Sequence, residues 1–94
     1  RAFDYLRAGI AYERAEAEGA APSQLRDCSK AMLKATMGRP DLSHVNLDQL
    51  AAAIDAGRRA GLEKRILQPA VAKFKQACVV QGRSQYRSDL WQGK

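Results

Sequence analysis

Aromatic residues make up only 6% of this 94-residue sequence, histidine occurs once, cysteine twice and proline three times. No apolar run approaches the roughly 20 residues that a membrane-spanning helix requires. Few aromatics and almost no alternating β-branched stretches argue against a sheet protein. The single histidine, His44, falls in a loop with no acid or cysteine recognisable as its companion, so it reads as solvent-exposed rather than catalytic. Cys28 and Cys78 lie far apart, each on the apolar side of a separate helical segment, which fits small buried thiols. Zinc ligands come in close pairs, so no metal site is expected; a disulfide between the two cysteines stays open for an oxidising compartment. There is no glycine-rich phosphate loop, Ser/His/Asp set or EF-hand loop. The expectation is a non-enzymatic chain without cofactor or metal. No signal peptide is recognisable and the first residue is Arg1 rather than Met, so a processed or truncated N-terminus is expected and any targeting segment lies out of view.

Alanine and charge are what the sequence has in abundance. Its length suffices for one modest core, near the size at which docking onto a partner supplies part of the stability. Residues 45–74 read as two amphipathic helices folded back through one glycine. Asn46 is a cap, Gln49 can reach back to it, and Val45 can staple against Leu50. Leu47, Leu50 and Ile54 fall on one face, among alanines at positions 51, 52, 53 and 56 that favour helix and permit close approach. Arg58 and Arg59 suit the last turn, and Gly61 can end it in the left-handed conformation. Leu62, Ile66, Ala70, Phe74 and Cys78, widened by Leu67 and Val71, form the returning stripe. Pro69 interrupts this stripe, so the helix either kinks there or begins near it.

The N-terminal half repeats the pattern less cleanly. Phe3, Leu6, Ile10 and Ala17 mark one helical face with Tyr5 and Tyr12 on its flank, and residues 19–23 break it. A second helix is expected from about Gln24, with Leu25, Cys28, Met32 and Leu33 as its stripe, until Gly38-Arg39-Pro40 stops it. Leu6, Ile10, Gly19, Leu25 and Met32 can be laid over Leu50, Ile54, Gly61, Leu67 and Phe74, as if the two hairpins were related; chance likeness between alanine-rich helices is the competing explanation. The predicted fold is therefore all-α, with about four helices in two antiparallel hairpins (3–37 and 46–80) forming a domain over 1–80, and an irregular, extended docking tail over 81–94.

Tyr5, Ala8, Gly9, Tyr12, Ala21 and Leu25 fall where a tetratricopeptide helical pair carries its aromatic, small, glycine, tyrosine, alanine and aromatic positions. Residues 2–40 thus faintly resemble one degenerate unit of that family. The match fails beyond them: the turn is lengthened by Ala20-Ala21-Pro22, the closing Pro40 comes late, and Gly57 stands where the second unit's tyrosine belongs. The chain is not assigned to the family, although either version implies a helical surface for binding another protein.

Charge is unevenly spread. Through Ala56 seven basic residues face eight acidic ones, whereas from Gly57 onward nine basic residues face Glu63 and Asp89 alone. A concentrated positive end favours an anionic partner such as an acidic protein surface, RNA or membrane headgroups, although it can also be no more than the solvated side of two helices. The expected contact residues are Arg58, Arg59, Lys64, Arg65, Lys73 and Lys75 on the second hairpin, joined by Arg83, Tyr86, Arg87, Leu90 and Trp91 of the tail. Tyr86, Leu90 and Trp91 either anchor a neighbouring subunit or cover this domain's own small core. The acidic cluster Glu13, Glu16 and Glu18 reads as a solvated face, and Gly38-Arg39-Pro40 as a helix stop rather than a minor-groove element, because Met37 and Asp41 are the wrong flanks.

These features point to a non-catalytic accessory subunit that docks on the protein subunits of a larger assembly. Its settings by analogy are photosynthetic, respiratory or ribosomal particles, with an organelle (chloroplast or mitochondrion) favoured over the cytoplasm. The alternative is an RNA- or DNA-binding module using the basic half against phosphates. A small enzyme or cofactor carrier finds no side chain beyond His44.

Overall fold

In the computed structural model, which describes residues 2–38 and 41–91, four helices carry the chain: α1 (Ala2–Ala17), α2 (Pro22–Met37), α3 (Leu47–Ala60) and α4 (Lys64–Val80). Single 3₁₀ turns occupy Leu42–His44 and Ser88–Leu90, and the described residues contain no strand. Helices α1, α2, α3 and α4 pack chiefly on their neighbours in sequence, giving an all-α stack of 38 × 31 × 19 Å.

Local chemistry sets most of the helix ends. Asn46 accepts a 3.0 Å hydrogen bond from the backbone N–H of Gln49 at the start of α3, and Val45 and Leu50 are both buried beside it. Gly61, at φ 84°, closes α3: its N–H reaches the carbonyl of Arg58 and that of Leu62 reaches Gly57, at 3.2 and 2.9 Å. This paired arrangement satisfies carbonyls that would otherwise be orphaned. Gly19 and Gly82, also left-handed, end α1 and α4 with the same pair of bonds. Gly38 does not share that conformation; its φ of −75° is right-handed, while Arg39 and Pro40 lie outside the described residues. Pro22 opens α2 two residues before the expected Gln24, because a proline in the first turn needs no N–H partner. Helix α4 continues through Pro69 rather than starting at it.

The core gathers around α3. Leu50, Ala53, Ile54, Phe74, Ala77 and Cys78 have no exposed surface. Gly57 is buried where α3 meets α4, and a Cβ there would come within 2.8 Å of Leu67 Cδ2. No tyrosine could occupy that position in this hairpin.

Helix α1 departs from expectation. Phe3, Leu6 and Ile10 are 78, 53 and 57% exposed, and Ala17 is exposed with them. The face turned to the protein is instead Ala8, Tyr12 and Ala15, with Tyr5 half-buried beside them. Two apolar stripes compete on this helix, and the one with alanines between its rings allows α1 to lie close on α2. Tyr12 adds a polar anchor: its hydroxyl donates to the carbonyl of Ala56 at 3.2 Å. Burial pushes its pKa above the usual tyrosine value. The hairpin overlay fails for the same reason, since Leu6 and Ile10 are exposed where Leu50 and Ile54 are buried.

Two phenylalanines make the test. Phe74→Ala is expected to cost about 3–5 kcal/mol in urea unfolding, the range for a large buried ring. Phe3→Ala, in dilute protein, should stay within about 0.5 kcal/mol of the parent.

Candidate interaction surfaces

Most of the expected basic contact residues are engaged within the chain. Arg58 donates to the carbonyl of Leu90. Arg59 lies over the Tyr12 ring, 5.4 Å from its centroid, and 3.4 Å from Glu16. Lys73 donates to the carbonyl of Met37 at 2.8 Å. Lys75 sits 5.1 Å from the centre of the Trp91 ring and Arg83 4.1 Å from that of Tyr86. Cations over aromatic faces are held by the ring quadrupole, so these groups are partly committed. Lys64 and Arg65 stand outward at the start of α4, Arg65 beside Glu63 at 3.2 Å with both exposed.

Residues 81–91, expected to extend away, fold back as a strap over α3 and α4. Leu90 is 1% exposed within the core, so it is no free anchor in this conformation. The Tyr86 ring packs against Phe74 with centroids 6.1 Å apart, and its hydroxyl donates to Asp48. That bond raises the tyrosine pKa above its ordinary value. Arg87 reaches Asp55 at 3.0 Å and Asp89 at 3.2 Å. Its φ of 45° is left-handed, a conformation that costs a non-glycine residue about 1–2 kcal/mol. Burial of Leu90 and the two carboxylates hold it there. Trp91 is half-buried, with its indole N–H enclosed and without a hydrogen-bond partner among the described residues. Gln92, Gly93 and Lys94 lie outside the described residues. At the head of the strap, Gln81 Nε2 donates to the carbonyls of both Leu42 and Val45 at 2.9 Å, pinning the end of α4 to the linker before α3.

The opposite end of the stack has no such cover among the described residues. An open groove of about 320 Å³ runs between α1 and α3, walled by Leu6, Gly9 and Ile10 on one side and Ala52 and Asp55 on the other, with Met32 beneath. Phe3 continues the apolar row along the outside of α1. No family model, curated protein or solved structure matches this chain.

Chemistry at the remaining polar residues is local. His44 is exposed, as its loop position suggests, but it has an acid beside it: Nδ1 lies 2.8 Å from Asp41 Oδ2. Ser43 donates from both its N–H and its hydroxyl to the same aspartate, at 3.0 and 2.7 Å. The serine and the acid share one imidazole nitrogen, so no nitrogen stands between them to relay a proton. The trio caps the Leu42–His44 turn. Cys28 and Cys78 are both free thiols, and burial pushes the Cys78 pKa up. Among the described residues no group of three or more His, Cys, Asp or Glu could hold a metal ion, and no helix is long and apolar enough to cross a membrane.

Asp89 is held below the usual carboxylate range, chiefly by its hydrogen bond from Arg87, and Asp41 is lowered to about 2, chiefly by Ser43. A depressed carboxyl stabilises the fold above its unfolded pKa of about 3.9, and that contribution is lost as pH falls through the folded value. Trp91, the sole tryptophan, reports on the strap. Its emission should shift to the red as pH falls below about 4, where protonation of Asp89 removes one of the two carboxylates that hold Arg87 in its left-handed backbone. Arg87→Ala should show the red shift already at neutral pH, with helical circular dichroism retained; an unshifted spectrum would mean the clamp does not hold the strap.

Proposed function

We propose that this chain is a non-catalytic accessory subunit that docks on other protein through the outward face of α1 and the adjoining groove. The observation that carries this reading is the exposure of Phe3, Leu6 and Ile10 together on one face of a helix whose other face is already satisfied. Contiguous apolar surface of this kind on a small chain marks a binding site. The small core of alanine-rich helices supports the same reading, because docking adds burial that a short chain lacks.

The basic hairpin offers less than its sequence suggests. Arg58, Arg59, Lys73, Lys75, Arg83 and Arg87 all have partners elsewhere in the fold, and Arg65 pairs with its neighbour Glu63. Nucleic-acid binding therefore has weaker support, since phosphate contacts would have to draw these groups away from existing bonds.

Ile10→Glu leaves the core untouched and is expected to move the tagged chain, in gel filtration of a native extract, from a high-mass fraction to its free size of 10.3 kDa. Parent chain already eluting at the free size would overturn the reading. A high-mass fraction that collapses on nuclease treatment would transfer support to RNA or DNA.

A further inference from the structure

The heptad spacing of α1 sorts its side chains into rows, because residues seven apart nearly eclipse on a helix. Tyr5 with Tyr12 and Ala8 with Ala15 form the inward rows. Phe3, Ile10 and Ala17 form one outward row and Leu6 with Glu13 the next. Arg7 and Arg14 make the edge beyond the outward rows, away from the groove, while Gly9 and Glu16 make the edge toward α3, where Glu16 meets Arg59. Phe3, Leu6 and Ile10 are thus bordered by two exposed arginines on one side and by Glu13 and Glu16 on the other.

We propose that the outward face of α1 receives an amphipathic helix of a different protein, its apolar stripe covering Phe3, Leu6 and Ile10 and its acidic edge running beside Arg7 and Arg14. The proposal rests on the docking role of α1 and specifies the partner's chemistry. A helix laid along α1 presents one row of side chains to each edge, so the arginine row selects carboxylates opposite it. A second copy of this chain meets that requirement poorly. Two-fold antiparallel pairing of α1 with itself, centred on Ile10, sets each edge against the same edge of the other copy, and Arg7 then faces Arg14. Head-to-tail stacking fares no better, because α4 carries Lys64, Arg65, Lys73 and Lys75 and no acidic residue. Like charges across a contact select against it.

Two fluorescein-labelled synthetic helical peptides test this by anisotropy: one with a leucine stripe and glutamates along one edge, the other with lysines on that edge. The glutamate peptide should bind at least about tenfold more tightly than the lysine peptide, a difference that shrinks as salt rises. Ile10→Glu should abolish binding, and Arg7→Glu with Arg14→Glu should reverse the preference without changing helicity. Binding of neither peptide, or a preference that survives the double charge reversal, would overturn the proposal. Sedimentation of the chain alone covers the remaining occupant: a dimer lost on Ile10→Glu would name a second copy and defeat the acidic helix. If the peptides fail while the high-mass fraction persists in extract, only the helix partner falls; if both are lost, the docking role falls with it.

Discussion

Helix α3 is the element on which the other packing depends, and its side chains explain why. It meets α2 and α4, reaches α1 through Tyr12, and holds the strap through Asp48 and Asp55. A helix with so many neighbours must be thin on several sides. Ala51, Ala53, Ala56, Gly57 and Ala60 are all buried and small, while Leu50 and Ile54 supply the bulk that fills the centre. The nearest atoms to a Cβ at Gly57 are the side chains of Leu67 and Leu62, so the angle of the second hairpin is set by what that glycine lacks. Close packing of this sort allows little variation in volume.

The two ends of the stack are finished differently. At the α4 end, residues 81–91 turn back and complete the core with Leu90, and the strained backbone at Arg87 is tolerated because two carboxylates and a buried leucine act on the same segment. At the α1 end, Phe3, Leu6 and Ile10 remain in solvent. A stacked helical array covers its ends or leaves them for a neighbour. Most charges of the cationic half hold the chain's own strap and loops, while the bulkier exposed apolar side chains belong to the nearly neutral half; Val79 and Val80 at the end of α4 are the smaller exposed pair.

The second hairpin was legible in the sequence almost residue by residue. The cap at Asn46, the left-handed Gly61 and the stripe through Phe74 and Cys78 depend on interactions within a few residues or on a single period, and such signals survive in one dimension. The first helix was not legible in the same way. It carries apolar residues on two sides, and nothing local distinguishes Phe3, Leu6 and Ile10 from Tyr5, Ala8 and Tyr12. The tetratricopeptide-like spacing singled out the second set, which is the inward one, although that spacing does not extend through the chain.

The sequence by itself determined an all-helical chain, the turns at Gly19 and Gly61, the capped start of α3 and the concentration of positive charge after Gly57, because each follows from neighbours a few positions apart or from composition. Tertiary structure alone decided which face of α1 is buried, that six arginines and lysines of the second half have partners in space, up to 43 positions away in the chain, and that the segment ending in Leu90 and Trp91 closes on its own core. Those outcomes depend on where α3 brings distant segments together: a side chain's partners in space are set by packing geometry, which no local pattern encodes.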